Sequence, residues 1–253
     1  MPKQKWSAVE FDKKTLIFIP TYNEIENVAR IHYEIRSFNL GTDILFMDDN
    51  SVDGTGRVID HLVKTNSGTF AVHRPQKLGI GSAHQAGIQW AYDRGYELLI
   101  TMDCDFTHSP SYIFNFLGAA PDADIVVGSR YLRRHSLSSW NLLRKTLTHL
   151  GHFLTVAMLD MRYDASGAFR LYNLTRIDKR LFQLVRSPGY SFFFESLFIL
   201  NYNKAMIAEI PIELPSRTYG ASKMTMRDAY NSLRFLISLY QRKTNDKASL
   251  TLP

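Results

Sequence analysis

The stretch that decides the fold is Thr15-Leu-Ile-Phe-Ile-Pro-Thr-Tyr-Asn-Glu24, an apolar run that stops at a proline and continues into polar residues. A short, uninterrupted apolar run is typical of a strand that is buried on both faces. Apolar residues then recur at spacings of three and four, which indicates the core-facing side of a helix. These residues are Ile25, Val28, Ile31, Ile35 and Phe38. A buried strand followed by such a helix is the first unit of a parallel sheet covered by helices.

The same alternation continues along the chain and predicts an α/β fold with a mostly parallel sheet flanked by helices. Further strands are predicted over 43–48, 69–73, 97–103, 124–128, 166–172 and 207–212. Further helices are predicted over 54–64, 82–94, 138–159, 175–186 and 225–242, and from Ser109-Pro110 onward. We find no repeat and no linker, so 1–253 is predicted to be one domain. Its core spans about 15–223, an amphipathic C-terminal helix spans 224–243, and 244–253 forms a frayed tail.

Composition narrows the class of protein. The 253 residues are 45% hydrophobic and 21% charged, which excludes a disordered chain. A single cysteine excludes an internal disulfide and gives no indication of secretion. The net charge of +6 favours anionic partners such as nucleotides, phospholipids or nucleic acid. No apolar run approaches the roughly 18 residues of a membrane span, and no signal peptide is recognisable. We therefore expect a soluble or peripheral intracellular protein.

Polar residues follow each of the first four predicted strands. The first strand ends in Pro20-Thr-Tyr-Asn-Glu24, the second in Asp48-Asp-Asn-Ser51, the third in His73-Arg74 and the fourth in Asp103-Cys-Asp105. In open α/β sheets, ligands bind outside the carboxyl ends of the strands. The sequence therefore predicts a ligand site at this edge of the sheet.

The acidic pair at the fourth strand points to a metal. Asp103 and Asp105 are two residues apart, so in extended backbone their carboxylates point to one side and Cys104 points away. Two carboxylates that face one point suit Mg²⁺ or Mn²⁺ bound to a diphosphate. The alternative is a solvated turn, in which Asp is common. Cys104 is expected to be a small packed residue.

Two further segments precede helices. The first is the polar cluster at 48–53. A role as helix N-cap would explain the presence of Ser51 or Asp53, but it would not explain the other polar residues of the cluster. Lys77-Leu-Gly-Ile-Gly81 offers backbone N–H groups that can hold phosphate, and the alternative is a flexible turn. Neither a P-loop nor a dinucleotide-binding glycine motif is present, which removes the main support for those classes of protein.

The segment 129–159 contains no acidic residue. Its basic residues and histidines are Arg130, Arg133, Arg134, Arg144, Lys145, His135, His149 and His152, and its apolar stripe is Leu143, Leu147, Leu150, Leu154 and Met158. A second amphipathic candidate comprises Leu233, Leu236, Ile237 and Tyr240 beside Arg234, Arg242 and Lys243. Basic amphipathic helices can lie on an anionic membrane surface. The alternative for the first segment is an ordinary core-facing helix with a solvated basic side.

Taken in order, these motifs resemble dolichol-phosphate mannose synthases. The resemblance runs from about residue 15 to residue 223. Its motifs are Pro20–Glu24, Met47–Ser51, Asp53–Thr55, Lys77–Gly81, Asp103–Asp105 with His108 and Pro110, Gly128–Tyr131, Ser166-Gly167, Phe169–Tyr172, Gly189-Tyr190 with Glu195, and Arg217–Lys223. These enzymes are inverting family-two glycosyltransferases, so the resemblance implies a GT-A fold.

The resemblance also implies roles for individual residues. Pro20, Tyr22, Glu24 and Asp49 would hold the base and ribose of the donor, with Lys77 and Gly79 beside them. Asp103 and Asp105 would hold the metal, Mg²⁺ or Mn²⁺, and the diphosphate. Arg130, Arg170, Arg217 and Lys223 would surround the two phosphate-bearing substrates, with Ser166, Arg130 and Arg170 on the acceptor phosphate; Asp103, Asp105 and Arg130 are the catalytic set. Three departures leave the metal shell and the sugar or acceptor preference open: Thr107, Ala168 and Phe193.

The implied reaction is transfer of a hexose, with mannose from GDP-mannose favoured, to a polyprenyl or dolichyl phosphate with inversion. The implied location is the cytosolic face of a membrane, reached directly or through a small membrane-spanning partner subunit. That membrane would be the endoplasmic reticulum in a eukaryote and the plasma membrane in a prokaryote. A transferase that uses UDP-glucose, another donor or a non-lipid acceptor stays open. A nucleic-acid-binding module lacks its aromatic and basic motifs here, and the intact acidic pair argues against an inactive binding subunit.

Overall fold

The computed structural model describes residues 13–133, 136–137, 140, 142–215 and 225–252, and for residues 143 and 144 only the backbone. The strands are β1 (Thr15–Thr21), β2 (Asp43–Asp48), β3 (Thr69–His73), β4 (Leu98–Thr101), β5 (Ile125–Ser129), β6 (Arg170–Asn173) and β7 (Ile207–Pro211). The helices are α1 (Val28–Ser37), α2 (Thr55–Thr65), α3 (Ile80–Asp93), α4 (Ile113–Ala119), α5 (Leu142–Leu159), α6 (Arg180–Gln183), α7 (Phe192–Tyr202) and α8 (Met226–Asn245). Short 3-10 helices cover Pro110–Tyr112, Ala120–Asp122 and Lys247–Leu250.

The strands form one seven-stranded sheet in the order β3-β2-β1-β4-β6-β5-β7. The first four strands of the chain are mutually parallel. β6 runs antiparallel between β4 and β5, and β7 returns parallel to β5. The predicted α/β architecture with a mostly parallel sheet is confirmed.

Both faces of the sheet are buried, and β1 illustrates why. Successive side chains of a strand point to opposite faces. Leu16 and Phe18 therefore join a core with α3, α7 and the buried side of α8, whereas Ile17 and Ile19 join a core with α1, α2 and α4. A strand that must fill two cores is apolar at every position, which explains the uninterrupted run in the sequence.

Helix α7 is absent from the sequence-based prediction. Its residues Phe192 to Leu200 are all buried, so the segment is apolar around its whole circumference. A helix of this kind has no periodic apolar stripe from which it can be recognised. In the same half of the chain, the helix predicted over 175–186 shortens to α6, and the strand predicted over 166–172 begins only at Arg170.

The expected frayed tail is wrong for the part of 244–253 that the structure describes. Leu250 is fully buried in the 3-10 helix Lys247–Leu250. Its carbonyl accepts a hydrogen bond from Asn203 Nδ2 (2.7 Å), and the carbonyl of Ser249 accepts one from Arg242 Nη2 (2.9 Å). These contacts with distant residues order a segment whose own composition is polar.

Among the residues that the structure describes, no helix is long and apolar enough to cross a membrane.

Candidate active site

The carboxyl ends of β1 to β4 lie side by side, because these four strands are parallel neighbours. The register pairs Thr21 with Asp48 and Asp48 with His73. It also places Thr101, two residues before Asp103, beside Phe18 of β1. The polar residues that follow the four strands therefore gather at one edge of the sheet, as the sequence predicted.

Asp103 and Asp105 lie in a loop, since β4 ends at Thr101 and not at Asp103 as expected. Phe106 in the same loop has a left-handed backbone, with φ of 62°. The predicted strand over 97–103 therefore ends two residues early, and the acidic pair lies beyond it. The side chain of Asp103 is 35% exposed, whereas Asp105 is 3% exposed. Cys104 between them is buried, as predicted.

Two neighbours hold this loop in shape. The backbone N–H of Asp103 donates to Nδ1 of His108 (2.9 Å), and the His108 ring stacks on Phe169 with centroids 4.8 Å apart. Thr107 donates its backbone N–H (3.1 Å) and its hydroxyl (2.6 Å) to Oδ1 of Asp105. Thr107, one of the three departures in the sequence, thus acts on the orientation of Asp105.

A divalent cation fits the chemistry of these two residues. Both are carboxylates, and hard oxygen ligands are those that Mg²⁺ and Mn²⁺ prefer. In the described part of the chain, no group of three or more His, Cys, Asp or Glu could hold a metal ion. One or two protein carboxylates supplemented by substrate phosphates is the usual arrangement for Mg²⁺. The donor set therefore matches a cation that binds together with a diphosphate.

Three residues assigned to the donor, Pro20, Tyr22 and Glu24, lie at the end of β1 or just after it. Lys77 Nζ is 4.3 Å from the centroid of the Tyr22 ring, a cation–π contact. Pro20, near the end of β1, is half-buried. Glu24 has a local function as well, because its Oε2 accepts a hydrogen bond from Asn27 Nδ2 (2.8 Å) at the start of α1.

Asp49 forms a buried ion pair with Arg74. Arg74 also donates to the hydroxyl of Ser82 (2.8 Å) and to the carbonyl of Gly79 (3.2 Å). Its position at the end of the third strand was visible in the sequence, but its pairing with Asp49 was not. Asp49 thus fixes an arginine that in turn holds the turn before α3.

The glycines of Lys77–Gly81 are explained by close backbone contact. A Cβ at Gly79 would lie 2.6 Å from the carbonyl oxygen of Pro188, and one at Gly81 would lie 2.6 Å from that of Gly189. The N–H of Ser82, at the start of α3, donates to the Pro188 carbonyl (3.0 Å). That N–H is therefore used within the protein and not offered to a phosphate.

Arg130 is held by Asp164, a residue that none of the sequence motifs includes. Oδ2 of Asp164 accepts both the backbone N–H (3.0 Å) and Nε (2.7 Å) of Arg130. Burial alone lowers the pKa of a guanidinium, but Asp164, with a smaller contribution from Asp103, leaves the pKa of Arg130 raised above its ordinary value. Arg130 is therefore a permanent cation close to the acidic loop. The absence of acids from 129–159 was the available signal that its partner must come from outside that segment.

Asp164 is itself held in place by a residue of β7. Its backbone N–H donates to Oε1 of Glu209 on β7 (2.8 Å). Its Oδ1 is buried and has no hydrogen-bond partner within the described residues. Arg130 Nη2 and Asp164 Oδ1 both lie near Gly167, at 3.4 and 3.8 Å from the position of an added Cβ. A Cβ at position 167 would therefore lie in ordinary van der Waals contact with the guanidinium.

The expected contact of Arg170 with the acceptor phosphate is contradicted. Arg170 is fully buried, and its Nη2 donates to the carbonyls of Ala165 and Phe193, both at 2.8 Å. Its Nη1 donates to the hydroxyls of Ser196 (3.1 Å) and Tyr172 (3.3 Å). The side chain is thus committed to the core and has no surface for a ligand. Ser166 is exposed beside the Arg130 region, whereas Arg217 and Lys223 lie outside the described residues.

Helix α5 reaches the site through an aromatic contact. His152 stacks on Tyr131 with centroids 4.1 Å apart, and the Tyr131 hydroxyl donates to the Thr148 carbonyl (3.3 Å). Burial lowers the pKa of His152 and thereby favours its neutral form. Tyr131, the neighbour of Arg130 in sequence, therefore packs directly against the helix that was expected to meet a membrane.

With this site on a seven-stranded sheet, residues 16–186 match the family described as glycosyl transferase family 2, and the chain belongs to that family. The match includes Asp103, Asp105 and Arg130. The fold is accordingly of the GT-A type.

Two curated relatives are similar over most of their length. The chain is 32% identical over 213 residues to undecaprenyl-phosphate mannosyltransferase of Micrococcus luteus, covering 84% of this chain and 88% of that protein. It is 33% identical over 226 residues to polyprenol monophosphomannose synthase of Mycolicibacterium smegmatis, covering 87% and 84%.

Solved structures support the fold. Glucosyl-3-phosphoglycerate synthase from Mycobacterium tuberculosis, in complex with Mn²⁺, UDP and glucosyl-3-phosphoglycerate, superposes with a TM-score of 0.66 at 16% identity, covering 89% of this chain and 79% of that one. A mannosyltransferase from Pyrobaculum calidifontis, in complex with GDP-Man and Mn²⁺, gives 0.54 at 15% identity, covering 95% and 65%.

Proposed function

We propose that this glycosyltransferase transfers mannose from GDP-mannose to a polyprenyl phosphate, with inversion at the anomeric carbon and with the aid of Mg²⁺ or Mn²⁺. The observation that carries the proposal is that Asp103 and Arg130 follow β4 and β5 at the same edge of the sheet, because Thr101 and Val127 both pair with Arg170 of the strand between them. One site thus combines carboxylates suited to a cation and diphosphate with a fixed cation suited to a second phosphate. The similarity to two polyprenyl-phosphate mannosyltransferases supports the choice of substrates.

On the donor side, Asp103 and Asp105 would hold the cation, which when bound supplies positive charge to the leaving diphosphate. Thr107 and His108 keep the acidic loop in the shape that this requires. Lys77 and Tyr22 lie where the nucleoside end of the donor would extend, and Asp49 acts there through Arg74.

On the acceptor side, Arg130 would orient the lipid phosphate. A phosphate monoester is already largely anionic at neutral pH, because its second pKa lies near 6. It therefore needs no strong general base, and the task of the protein is to bring two anions together. The Nε and backbone N–H of Arg130 are bound to Asp164, and among the described residues no hydrogen bond is made by its Nη atoms. Attack from the face opposite the leaving group would invert the anomeric configuration.

The lipid tail of such an acceptor requires a surface that meets the bilayer. Helices α5 and α8 are neighbours, joined by a hydrogen bond from Lys243 Nζ to the Met158 carbonyl (3.2 Å). Both expose large apolar side chains, which we name the exposed apolar face. It comprises Leu147, Leu150 and Phe153 on α5, and Met226, Tyr230, Leu233, Ile237 and Tyr240 on α8. With basic residues on the same helices, this face supports peripheral attachment to an anionic cytosolic leaflet.

The exposed apolar face differs from the stripes predicted from the sequence. On α5, Leu154 and Met158 pack against the core and Phe153 is exposed instead. On α8, Leu236 and Arg242 are buried, so neither is available to a membrane. The side chains of Leu143 and Arg144 are not described.

A donor screen tests the proposal. Purified protein is incubated with radiolabelled GDP-mannose or UDP-glucose and a short polyprenyl phosphate, and the label that partitions into organic solvent is counted. We expect transfer from GDP-mannose only, loss of transfer in EDTA, and recovery on addition of Mn²⁺ or Mg²⁺. Transfer from UDP-glucose alone would favour the alternative donor, and no lipid-linked label from any donor would overturn the proposal.

A matched pair of variants locates the chemistry. Asp105→Asn keeps the size of this buried residue and its acceptor for Thr107, yet removes the charge, so transfer should be abolished in a folded protein. Asp122→Asn, on an exposed 3-10 turn, is the control and should behave as the wild type. Equal rates for both variants would contradict the metal site.

A further inference from the structure

The turn Lys77–Gly81 takes its position from the loop 184–191. Gly79 and Gly81 touch the carbonyls of Pro188 and Gly189 so closely that neither could carry a Cβ, and Ser82 donates to Pro188. A movement of this loop therefore moves the turn with it. The turn in turn holds Arg74 through the Gly79 carbonyl.

Glu195 of α7 fixes the loop. Its Oε2 accepts the backbone N–H groups of Arg186 (3.0 Å) and Ser187 (2.8 Å). Glu195 is fully buried, and it is the one charged residue of α7, a helix that the structure describes in full. A buried carboxylate in so apolar a helix is costly unless it is paired and hydrogen-bonded.

The partner of Glu195 comes from α8. Arg242 Nη1 donates to the other oxygen, Oε1 (2.7 Å). The remaining donors of Arg242 reach the Leu184 carbonyl (3.2 Å) and Ser249. One guanidinium thus joins α8 to the start of the loop 184–191 and to Glu195 of α7. Arg242 lies on the buried side of α8, whereas Ile237 and Tyr240 of the same helix belong to the exposed apolar face.

We propose that Glu195 and Arg242 are a positioning pair for the donor, which transmits the placement of α8 to the turn Lys77–Gly81. The contacts run without interruption from Arg242 to Glu195, to the amides of 186–187, to the carbonyl of Pro188 and to the turn. Stability alone does not require this arrangement, because apolar residues of similar volume can replace a buried ion pair at little cost. The use of both Glu195 oxygens, one for α8 and one for the loop, is what links the two. The inference rests on the proposed function, in that it takes the turn to be part of the donor site.

The test is binding of GDP in the presence of Mn²⁺, measured by calorimetry on the full chain. Glu195→Gln and Arg242→Met should raise the Kd for GDP roughly 2- to 30-fold, the range for residues that couple distant sites. Arg242→Lys keeps the charge opposite Glu195 and should recover most of the affinity. In steady-state assays the KM for GDP-mannose should rise while the KM for polyprenyl phosphate stays within about twofold of the wild type.

A control separates positioning from loss of stability. Leu117→Ala removes a buried side chain of α4 in the opposite core, so it lowers the melting temperature without touching the pair. Its Kd for GDP should be that of the wild type. If Glu195→Gln does not fold, the Arg242→Lys and Arg242→Met comparison decides alone.

The outcomes are distinguishable. Folded variants with lower melting temperatures and an unchanged Kd for GDP would reduce the pair to a structural role and overturn the proposal. If the wild type itself binds neither GDP nor UDP with Mn²⁺, the proposed function fails first and the positioning role fails with it.

Discussion

Two buried Arg–Asp pairs lie at opposite sides of the site, and they differ in what they leave available. Arg74 of the Asp49 pair is hydrogen-bonded on every side, to Asp49, to Ser82 and to the turn before α3. In the Arg130–Asp164 pair, within the part of the chain that the structure describes, Oδ1 of Asp164 accepts no hydrogen bond and the Nη atoms of Arg130 donate none. On the proposed donor side the arginine is therefore fully used by the protein, whereas on the proposed acceptor side the guanidinium keeps donors that a ligand could use. A buried ion pair can therefore have either of two functions, depending on which hydrogen-bond donors of its arginine stay unused. We call Asp49–Arg74 the scaffold pair, because its arginine holds the protein itself, and Arg130–Asp164 the receptor pair, because its arginine keeps donors for a ligand.

The largest effect on activity is expected when the Arg130–Asp164 pair is broken by substitution of Arg130. Arg130→Met should lower the rate of transfer about 10²- to 10³-fold, since its Nη donors would meet the acceptor, and leave the Kd for GDP within a few-fold. Kinetics in both substrates and calorimetry measure these quantities. Because unpaired Asp164 destabilises the fold by about 3–5 kcal/mol, Arg130→Lys is measured beside it. An equal loss of GDP affinity would assign Arg130 to the donor side.

The next prediction breaks the scaffold pair. Asp49→Asn should weaken binding of GDP by about 1–3 kcal/mol, through the release of Arg74. Arg74→Met should cause a similar loss, and the double variant no more than either, because the two residues act as one unit. Calorimetry on the three variants completes the cycle, with exposed Asp122→Asn as control. Additive losses would show that Asp49 touches the nucleotide independently.

A conservative change sharpens the comparison. Asp164→Asn still accepts the bonds of Arg130 but without charge, so the KM for polyprenyl phosphate should rise roughly tenfold, equivalent to about 1.5 kcal/mol. The matched control is Asp160→Asn, an exposed acid of the same segment. A rise in the KM for GDP-mannose instead would contradict the division into two sides.

A weaker effect is expected where the acceptor side meets the lipid. Leu150→Glu with Phe153→Glu should reduce flotation with anionic vesicles several-fold, because each removes apolar surface from the exposed apolar face. Tyr33→Glu changes a residue that is 77% exposed on α1 and should float as the wild type does. Wild-type protein that floats only after addition of a membrane protein would favour a partner subunit over direct contact.

The last prediction concerns the pH dependence of the protein's stability, through a buried histidine of α3. His84 is enclosed by Phe18, Phe192 and Phe193, and burial lowers its pKa from 6.5 to about 3. The unfolded chain therefore binds the extra proton, so this contribution to stability is complete above pH 6.5 and is lost as pH falls toward 3. The loss is at most about 1.4 kcal/mol per pH unit. Urea unfolding of His84→Leu should be less dependent on pH over this range than that of the wild type, and an unchanged slope would contradict it.

The local patterns of the sequence were sufficient for the first half of the fold and for the edge where the site lies. Apolar runs for β1 to β4, the intervening helices and the polar residues after each strand are all encoded within a few neighbouring positions. The acidic pair could be recognised on the same basis, and the resemblance to a family pointed to Arg130.

Tertiary structure decided the rest, because it depends on which residues meet across long separations. Asp164 pairs with Arg130 from 34 residues away, and Glu195 with Arg242 from 47. Helix α7 lacks a periodic stripe since every side of it is covered. Arg170 adjoins residues of the site in the sequence motif yet is turned into the core, where carbonyls from two other segments surround it. Residue type and spacing determine which groups are present, but packing determines which of them keep a surface, and only those can meet a substrate.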